Sequence, residues 1–210
     1  MKYYPALLDV REKKAVIVGG GRVAERKARM LLRAGARVTV VSPDATGGIR
    51  MLGEKGLITL RQRKYRAGDL RNAFIAVAAT SSAETNRKIA REAGFLVNVA
   101  DTPSEGNFIV PSVVQQGPLT VAVSTGGASP AMSKAVRKEI EGSYGREFVQ
   151  YLRLAEEARR QAMEAIPDRR KRRAFLKLLA SHRMIATLRS GGFIAVKKKV
   201  MSALAAGAGG

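Results

Sequence analysis

The chain has 210 residues, 38 of them Lys or Arg and 17 Asp or Glu, for a formal net charge of +21. With 46% hydrophobic and 26% charged residues it has globular proportions, which excludes disorder throughout and suits one large domain or two small ones. The sequence has no Cys, excluding disulfides, iron–sulfur clusters and thiolate zinc sites, and the single His182 excludes a site built from several imidazoles. No apolar run approaches the ~18 residues that span a bilayer, and Met1–Pro5 holds no apolar signal core, so a soluble, cytoplasmic protein is expected. Chemistry must come from carboxylates, hydroxyls, backbone groups or a borrowed cofactor. Residues 142–210 carry 15 basic and 5 acidic side chains, against 23 and 12 in residues 1–141. A field of this sign attracts nucleic acid, anionic membranes or small polyanions alike.

The β-branched run Ala15–Val18 predicts a strand, and Gly19-Gly20-Gly21 follows it. Val23, Ala24, Ala28, Leu31 and Leu32 then share one face of a helix that Gly35 stops. Arg37–Val41 is a second strand, closing a βαβ unit with parallel strands. Further strands are expected at 57–60, Phe74–Ala78 and Phe95–Ala100, with a helix at 82–93 whose capping box is Ser81 and Glu84. After residue 106 the pattern changes. Phe108–Val114 and Leu119–Val123, linked by Gln-Gln-Gly-Pro, read as an antiparallel hairpin, and Ser129-Pro130 starts a helix to about Gly142. Helices are expected over 145–166, 168–181 and 193–205, with Pro167 and Gly191-Gly192 as breaks and residues 207–210 frayed. The expected architecture is α/β: a Rossmann-type parallel sheet domain (1–107), a small α+β dimerisation segment (108–142) and a basic C-terminal helical domain (143–210).

Gly19-Gly20-Gly21-Arg22-Val23-Ala24 matches the dinucleotide fingerprint, with Ala24 in the place where only a small residue lets helix and strand pack. Gly19 permits the tight turn, and Gly21 lets the backbone approach a pyrophosphate at the positive end of the helix. The motif follows a strand, opens a helix and precedes a second strand, which favours cofactor binding over mere turn glycines. The acidic residue that grips the adenosine ribose is missing, because Val41 runs into Ser42-Pro43 and the first carboxylate is Asp44. Asp44 folding back to the ribose and Arg22 attracting a 2′-phosphate both stay open. Phe95–Ala100 delivers Asp101 to the carboxyl end of a strand, where open parallel sheets bind ligands.

Pro5–Val10 and Val16-Ile17-Val18-Gly19-Gly20-Gly21-Arg22-Val23-Ala24-Glu25-Arg26-Lys27-Ala28 closely resemble the start of the precorrin-2 dehydrogenase and sirohydrochlorin ferrochelatase family, the N-terminal module of siroheme synthases. The resemblance continues through Ala78-Ala79-Thr80, Asn86, Val97–Asp101, Phe108–Pro111 and Ser124–Ala131, covers residues 3 to 141, and fades in the helical tail. It implies NAD-dependent oxidation of precorrin-2 to sirohydrochlorin, and in some members insertion of Fe²⁺ afterwards. The substrate implied is a tetrapyrrole rimmed with carboxylates, which suits the positive charge. Cofactor contacts are expected from Gly19, Gly21, Arg22, Val23, Pro43, Asp44 and Thr80, and substrate contacts from Asn98, Ser124, Thr125 and Gly126. The resemblance also implies a homodimer built through residues 108–141, whose helix offers Met132, Ala135, Val136 and Ile140. Asp101 stands where the family places its catalytic aspartate. It can take a proton while hydride leaves for the nicotinamide; the competing reading is an Asp that caps the turn at Thr102-Pro103. Many relatives carry a Cys-Asp pair before the following Phe-Ile, where this chain has Glu105-Gly106-Asn107. Glu105 is then the one extra carboxylate nearby, and oxidation is better supported than chelation. No fused methyltransferase is expected.

No residue set points to a resident metal, and His182 reads as a surface or interface residue. The Ser124–Gly127 turn precedes a helix start, and either holds substrate carboxylates by its N–H groups or is a structural turn. Arg169–Arg173 and Lys197–Lys199 wrap a solvated face, so solvation or substrate steering is favoured over nucleic acid. The competing function is a non-catalytic nucleotide-sensing or nucleic-acid-binding module on the same fold.

Overall fold

The computed structural model describes residues 2–208; Met1 and the last two residues of the tail expected to fray lie outside them. Five short strands form one parallel sheet in the order β3-β2-β1-β4-β5. They are β1 (Lys14–Val18), β2 (Arg37–Val41), β3 (Thr59–Arg61), β4 (Ile75–Ala78) and β5 (Leu96–Val99). Their near-continuous apolar runs follow from helices covering both faces, since each side chain, up or down, meets a hydrophobic layer. On one face Ile17, Val38, Val40, Ile75 and Val77 pack under Ala24 and Ala28 of α1 (Arg22–Arg33) and Ile49 and Leu52 of α2 (Gly47–Glu54). On the other, Val16, Val18, Val41, Ala76, Ala78, Val97 and Val99 meet Leu70 and Ile89, the latter from α3 (Ala83–Glu92). Strand order reverses between β1 and β4, which makes their carboxyl ends the crevice of the sheet.

Two features of this half differ from the sequence reading. Helix α2 is absent from it because Gly47-Gly48 argues locally against a helix. Tertiary burial of Ile49 and Leu52 wins, aided by Thr46, whose hydroxyl accepts from Ile49 N–H at 3.3 Å. The cap of α3 is Ser82, not Ser81, accepting from Thr85 N–H at 3.2 Å.

The chain divides into two compact units, Met1–Val110 and Pro111–Gly210. The second opens with an antiparallel hairpin, β6 (Ser112–Gln116) and β7 (Leu119–Val123). Its strands run closer together than expected, as Gln115 pairs with Thr120 and Gln116 with Leu119, leaving a two-residue Gly117-Pro118 turn with Gly117 at φ 56°. Residues 108–111, expected as strand, are irregular. Helix α4 (Pro130–Ser143) starts at Ser129, whose hydroxyl accepts from Met132 N–H at 3.2 Å. Helices α5 (Arg146–Ala165), α6 (Arg169–Leu179) and α7 (His182–Ala208) share a core that includes Tyr151, Ala162, Ile166, Phe175, Met184, Leu188, Val196 and Val200. The Tyr151 hydroxyl donates to the Leu179 carbonyl, tying α5 to the end of α6. Helix α7 is longer than expected at both ends. It begins at His182, continues through a kink at Gly192 (φ 71°) and takes in Gly207 and Ala208.

Candidate functional site

The carboxyl ends of β1, β4 and β5 deliver Gly19, Thr80 and Asp101 side by side. Gly19 N–H donates to Val41 O (2.9 Å), Ala79 N–H to Val18 O (2.8 Å) and Ala100 N–H to Ala78 O (2.9 Å), so each segment leaves the sheet in register with its neighbour. At ~4.8 Å between adjacent strands, the β1 and β5 ends lie about 10 Å apart.

Each glycine of the triplet has its own reason. Gly19 has φ 124°, and a Cβ there would sit 2.1 Å from the Ala79 carbonyl oxygen. Gly20 faces the other way: its Cβ would lie 1.8 Å from the Asp44 carbonyl oxygen and 2.8 Å from Ser42 Oγ, and its own carbonyl accepts from Thr46 N–H at 2.9 Å. Nothing stands within 4 Å of a Cβ at Gly21, the residue preceding α1. The first N–H groups of α1 have no intrahelical acceptor and meet the open space beside Gly21. That combination fits the pyrophosphate of a dinucleotide, with two glycines packed against protein and the third open to a ligand. Gly20, the middle position of the fingerprint, was not singled out from sequence. Its signal is only that a third glycine stands where the motif asks for none.

Arg22 is exposed and Val23 half-buried in the first turn of α1. Ser42 is buried at the end of β2, its N–H donating to Arg61 O at 3.1 Å, while Pro43 and Asp44 are exposed. Asp44 therefore reaches the glycine turn through its backbone and carries its carboxylate into solvent. Thr80 is held by Asn86, a buried residue of α3. Asn86 Oδ1 accepts from Thr80 N–H (3.2 Å) and from its hydroxyl (2.8 Å), and Asn86 Nδ2 donates to Thr80 O (3.1 Å).

Asp101 is exposed on a turn anchored at both ends. Ala100 bonds back to β4, and after the 3-10 turn Pro103–Glu105 the chain returns along β5. There Val97 N–H donates to Asn107 Oδ1 (2.8 Å), Asn107 N–H to Val97 O (3.0 Å) and Asn107 Nδ2 to Phe95 O (2.5 Å). The residue capping the 3-10 turn is Thr102, with no side-chain cap bond. Among the described residues the Asp101 carboxylate enters no hydrogen bond, so the turn-capping alternative has no geometric support. Asn98 lies elsewhere. It is buried on β5, its Nδ2 donating to Phe108 O at 3.1 Å, and its Oδ1 is buried without a partner. Asn98 thus clamps the segment that follows the Asp101 turn.

In the second unit the Ser124–Ser129 turn bonds several of its polar groups to one another and to Ser133. Gly126 N–H donates to Ser124 Oγ (3.1 Å), Ser129 N–H to Thr125 Oγ1 (3.0 Å), and Thr125 Oγ1 lies 3.2 Å from Ser133 Oγ. Gly126 and Gly127 both have positive φ, 65° and 96°. No group of three His, Asp or Glu side chains with metal-binding placement occurs among the described residues, and no described helix is long and apolar enough to cross a membrane.

Electrostatics around the first unit are dominated by arginine. Asp69, 5% exposed, accepts from Arg61 (2.9 Å), twice from Arg63 (2.8 and 2.6 Å) and from Arg66 N–H (2.9 Å). Arg63 first, then the Arg66 N–H, holds its carboxyl far below the usual range despite burial. Burial, then the Arg26 charge, pushes Lys27 on α1 down to about 8.

Comparison with known proteins places this geometry. Residues 6–112 match the family described as putative NAD(P)-binding, and residues 116–143 the one described as sirohaem biosynthesis protein central. The chain is 41% identical over 178 residues to siroheme synthase of Methylococcus capsulatus, covering 83% of this chain and 38% of that protein. It is 32% identical over 210 residues to siroheme synthase of Chromobacterium violaceum, covering 99% and 45%. The chain thus spans less than half the length of these curated relatives. A solved structure titled "SirC, precorrin-2 dehydrogenase" matches with a TM-score of 0.79 at 26% identity, covering 95% of this chain and all of that one. With an NAD(P)-binding sheet domain and a siroheme-type central segment in that order, the chain belongs to the precorrin-2 dehydrogenase family that forms the N-terminal module of siroheme synthases.

Proposed function

We propose that the protein oxidises precorrin-2 to sirohydrochlorin with NAD as hydride acceptor. The observation that carries the reading is Asp101: an exposed carboxylate with no internal partner, on a doubly anchored turn two strands from the glycine turn. Gly19, Gly21, Arg22, Val23, Pro43, Asp44 and Thr80 are the assigned cofactor contacts. When bound, the nicotinamide supplies the acceptor for the hydride leaving the macrocycle. The residues of the chain do the rest. Gly21 and the first amides of α1 would receive the pyrophosphate, Asn86 fixes Thr80, and Asp101 accepts the proton that the macrocycle loses besides the hydride, so two hydrogens leave, one as hydride with both electrons and one as a proton. Asn98, Ser124, Thr125 and Gly126 are the assigned substrate residues; Asn98 acts by clamping the 108 segment, and in the turn the Gly126 N–H is already committed to Ser124 Oγ.

The same reading includes a cytoplasmic homodimer with α4 as its contact helix, since Met132 is 56% exposed beside exposed Ala135. It also includes the three-part division into residues 1–107, 108–142 and 143–210. Insertion of Fe²⁺, as substrate, into sirohydrochlorin is the family's second activity, for which Asp101 and Glu105 are the neighbouring carboxylates. The test is to mix purified protein with precorrin-2 and NAD or NADP without metal, follow sirohydrochlorin absorbance, and add Fe²⁺ afterwards. Product with NAD is expected. Cofactor binding without product would replace the enzyme by a nucleotide-sensing module.

A further inference from the structure

In a parallel pair each strand turns the N–H groups of alternate residues toward its neighbour. Along β5, Leu96 N–H donates to Phe74 O (3.4 Å) and Ala100 N–H to Ala78 O (2.9 Å), both on the β4 side. Val97 N–H is one residue out of phase with Leu96 and points away from β4, where its partner is Asn107 Oδ1 at 2.8 Å. Asn107 Nδ2 donates to Phe95 O at 2.5 Å, and the Asn107 main-chain N–H to Val97 O at 3.0 Å. One residue thus closes three bonds onto β5, two of them through its carboxamide. Asn107 is itself exposed, so these bonds rather than burial hold it in place.

Between the two fixed points, Ala100 and Asn107, little else ties the chain to the sheet. Asp101, Thr102, Pro103 and Ser104 are all exposed. Among the described residues the hydrogen bonds of 101–106 are internal, from Glu105 N–H to Thr102 O (3.0 Å) and from Gly106 N–H to Pro103 O (3.2 Å). They stiffen the 3-10 turn without attaching it to β5. Asn98 holds the residue beyond, its Nδ2 donating to Phe108 O at 3.1 Å, and makes no bond to 101–107. Asp101 stands one residue past the first fixed point with a carboxylate that has no partner of its own. Its place is then decided by where the loop closes, and Asn107 closes it.

We infer that Asn107 is a positioning residue for Asp101: its carboxamide fixes the closing end of the loop and so holds the Asp101 carboxylate where it takes the proton. The inference rests on the assignment of Asp101 as proton acceptor. A reacting group misplaced by about 1 Å costs up to about a hundredfold in rate. Asn107→Leu keeps the volume and removes both carboxamide bonds. In the full chain, kcat for precorrin-2 with NAD should fall at least about tenfold, while KM for precorrin-2 stays within about threefold and NAD affinity by calorimetry within about twofold. Amide exchange at Val97 should quicken at least about tenfold, because its N–H has lost its acceptor. A double-mutant cycle separates positioning from a merely structural role. Asp101→Asn/Asn107→Leu should turn over as slowly as Asp101→Asn alone, since a displaced amide has no proton-accepting role left to lose. Gly106→Ala is a second route to the same loss: its Cβ would stand 2.7 Å from Val97 O and push the closing segment outward, lowering kcat in the same way. Parental kcat in both loop variants while Asp101→Asn is slow, parental Val97 exchange in Asn107→Leu, or a double variant slower than Asp101→Asn by the full factor of Asn107→Leu overturns the positioning role and leaves Asp101 in the chemistry. Near-normal turnover of Asp101→Asn overturns the assignment of Asp101 and this inference with it.

Discussion

Adjacent glycines of the triplet should fail in opposite ways when each is replaced by alanine. At Gly20 the new Cβ would stand 1.8 Å from the Asp44 carbonyl oxygen, where real contacts begin near 3.0 Å, so the loop after β2 must retreat by about 1.2 Å. That retreat also stretches the 2.9 Å bond from Thr46 N–H to Gly20 O, which seats the cap of α2. Overpacking of ~1–3 kcal/mol plus a hydrogen bond of ~1 kcal/mol gives a loss of about 2–4 kcal/mol. In a unit of this size that is a fall of roughly 10 °C or more in melting temperature. At Gly21 the Cβ meets nothing within 4 Å, and φ −81°, ψ −176° suits alanine, so the cost is only that of a poorer helix cap, ~1 kcal/mol at most. The added methyl instead enters the space assigned to the pyrophosphate. Thermal and urea denaturation, paired with calorimetric titration of NAD, separate the two: Gly20→Ala loses stability, and Gly21→Ala keeps it while losing at least about tenfold in affinity. A Gly21→Ala protein that binds NAD like the parent, or a Gly20→Ala protein that melts like it, refutes the division of labour.

Asp101→Asn should keep NAD affinity within about twofold and the melting temperature unchanged, while turnover of precorrin-2 falls at least about a hundredfold, as for loss of a proton acceptor; near-normal turnover removes Asp101 from the chemistry. Asp69→Asn should cost about 2–3 kcal/mol at pH 7, because a buried acceptor of charged hydrogen bonds loses its charge. The folded Asp69 is more acidic than the unfolded one, so its contribution is present above the unfolded pKa of ~3.9 and drains away as pH falls below it; the gap between parent and variant in urea melts should narrow from pH 5 to pH 2. Lys27 works in the opposite sense: with its folded pKa at about 8, charging it opposes folding at neutral pH. Lys27→Met should therefore stabilise the protein by about 1–2 kcal/mol at pH 7, with the advantage vanishing as pH rises from 8 past the unfolded value of ~10.4. An advantage independent of pH assigns the gain to packing.

How far the sequence can be read depends on where the deciding partner lies. Ala15–Val18, Arg37–Val41 and Ile75–Ala78 announce themselves because strands covered on both faces must be apolar throughout. Gly47-Gly48 hides α2, whose stability comes from Ile49 and Leu52 meeting a layer made of other strands. The polar pair Gln115-Gln116 looks like turn material, yet both residues pair across the hairpin. The first half of α7 was readable in principle, since Ser181 caps Met184 N–H at 3.4 Å and Met184 and Leu188 are one helical repeat apart. At the site, Gly19, Gly21 and Asp101 stand out because motif spacing and strand ends are local facts. The need for glycine at position 20 is not local, because it is imposed by the carbonyl of Asp44, 24 residues further on. Asn98 is expected at the substrate from the family resemblance, whereas its bond to Phe108 O depends on a partner ten residues away that spacing does not display.

The return of the chain along β5 also bears on solubility. β5 is the last strand of its sheet, and an unpaired parallel edge is a template onto which another chain can add. Asn107 occupies that template with its own carboxamide and main chain, engaging Val97 N–H, Val97 O and Phe95 O as a neighbouring strand would. Gly106 makes the close approach possible, since a Cβ there would lie 2.7 Å from Val97 O. The segment that carries Asp101 out to solvent therefore comes back as a one-residue counterfeit strand, and the same dozen residues both present the Asp101 carboxylate and guard the sheet against edge-to-edge association.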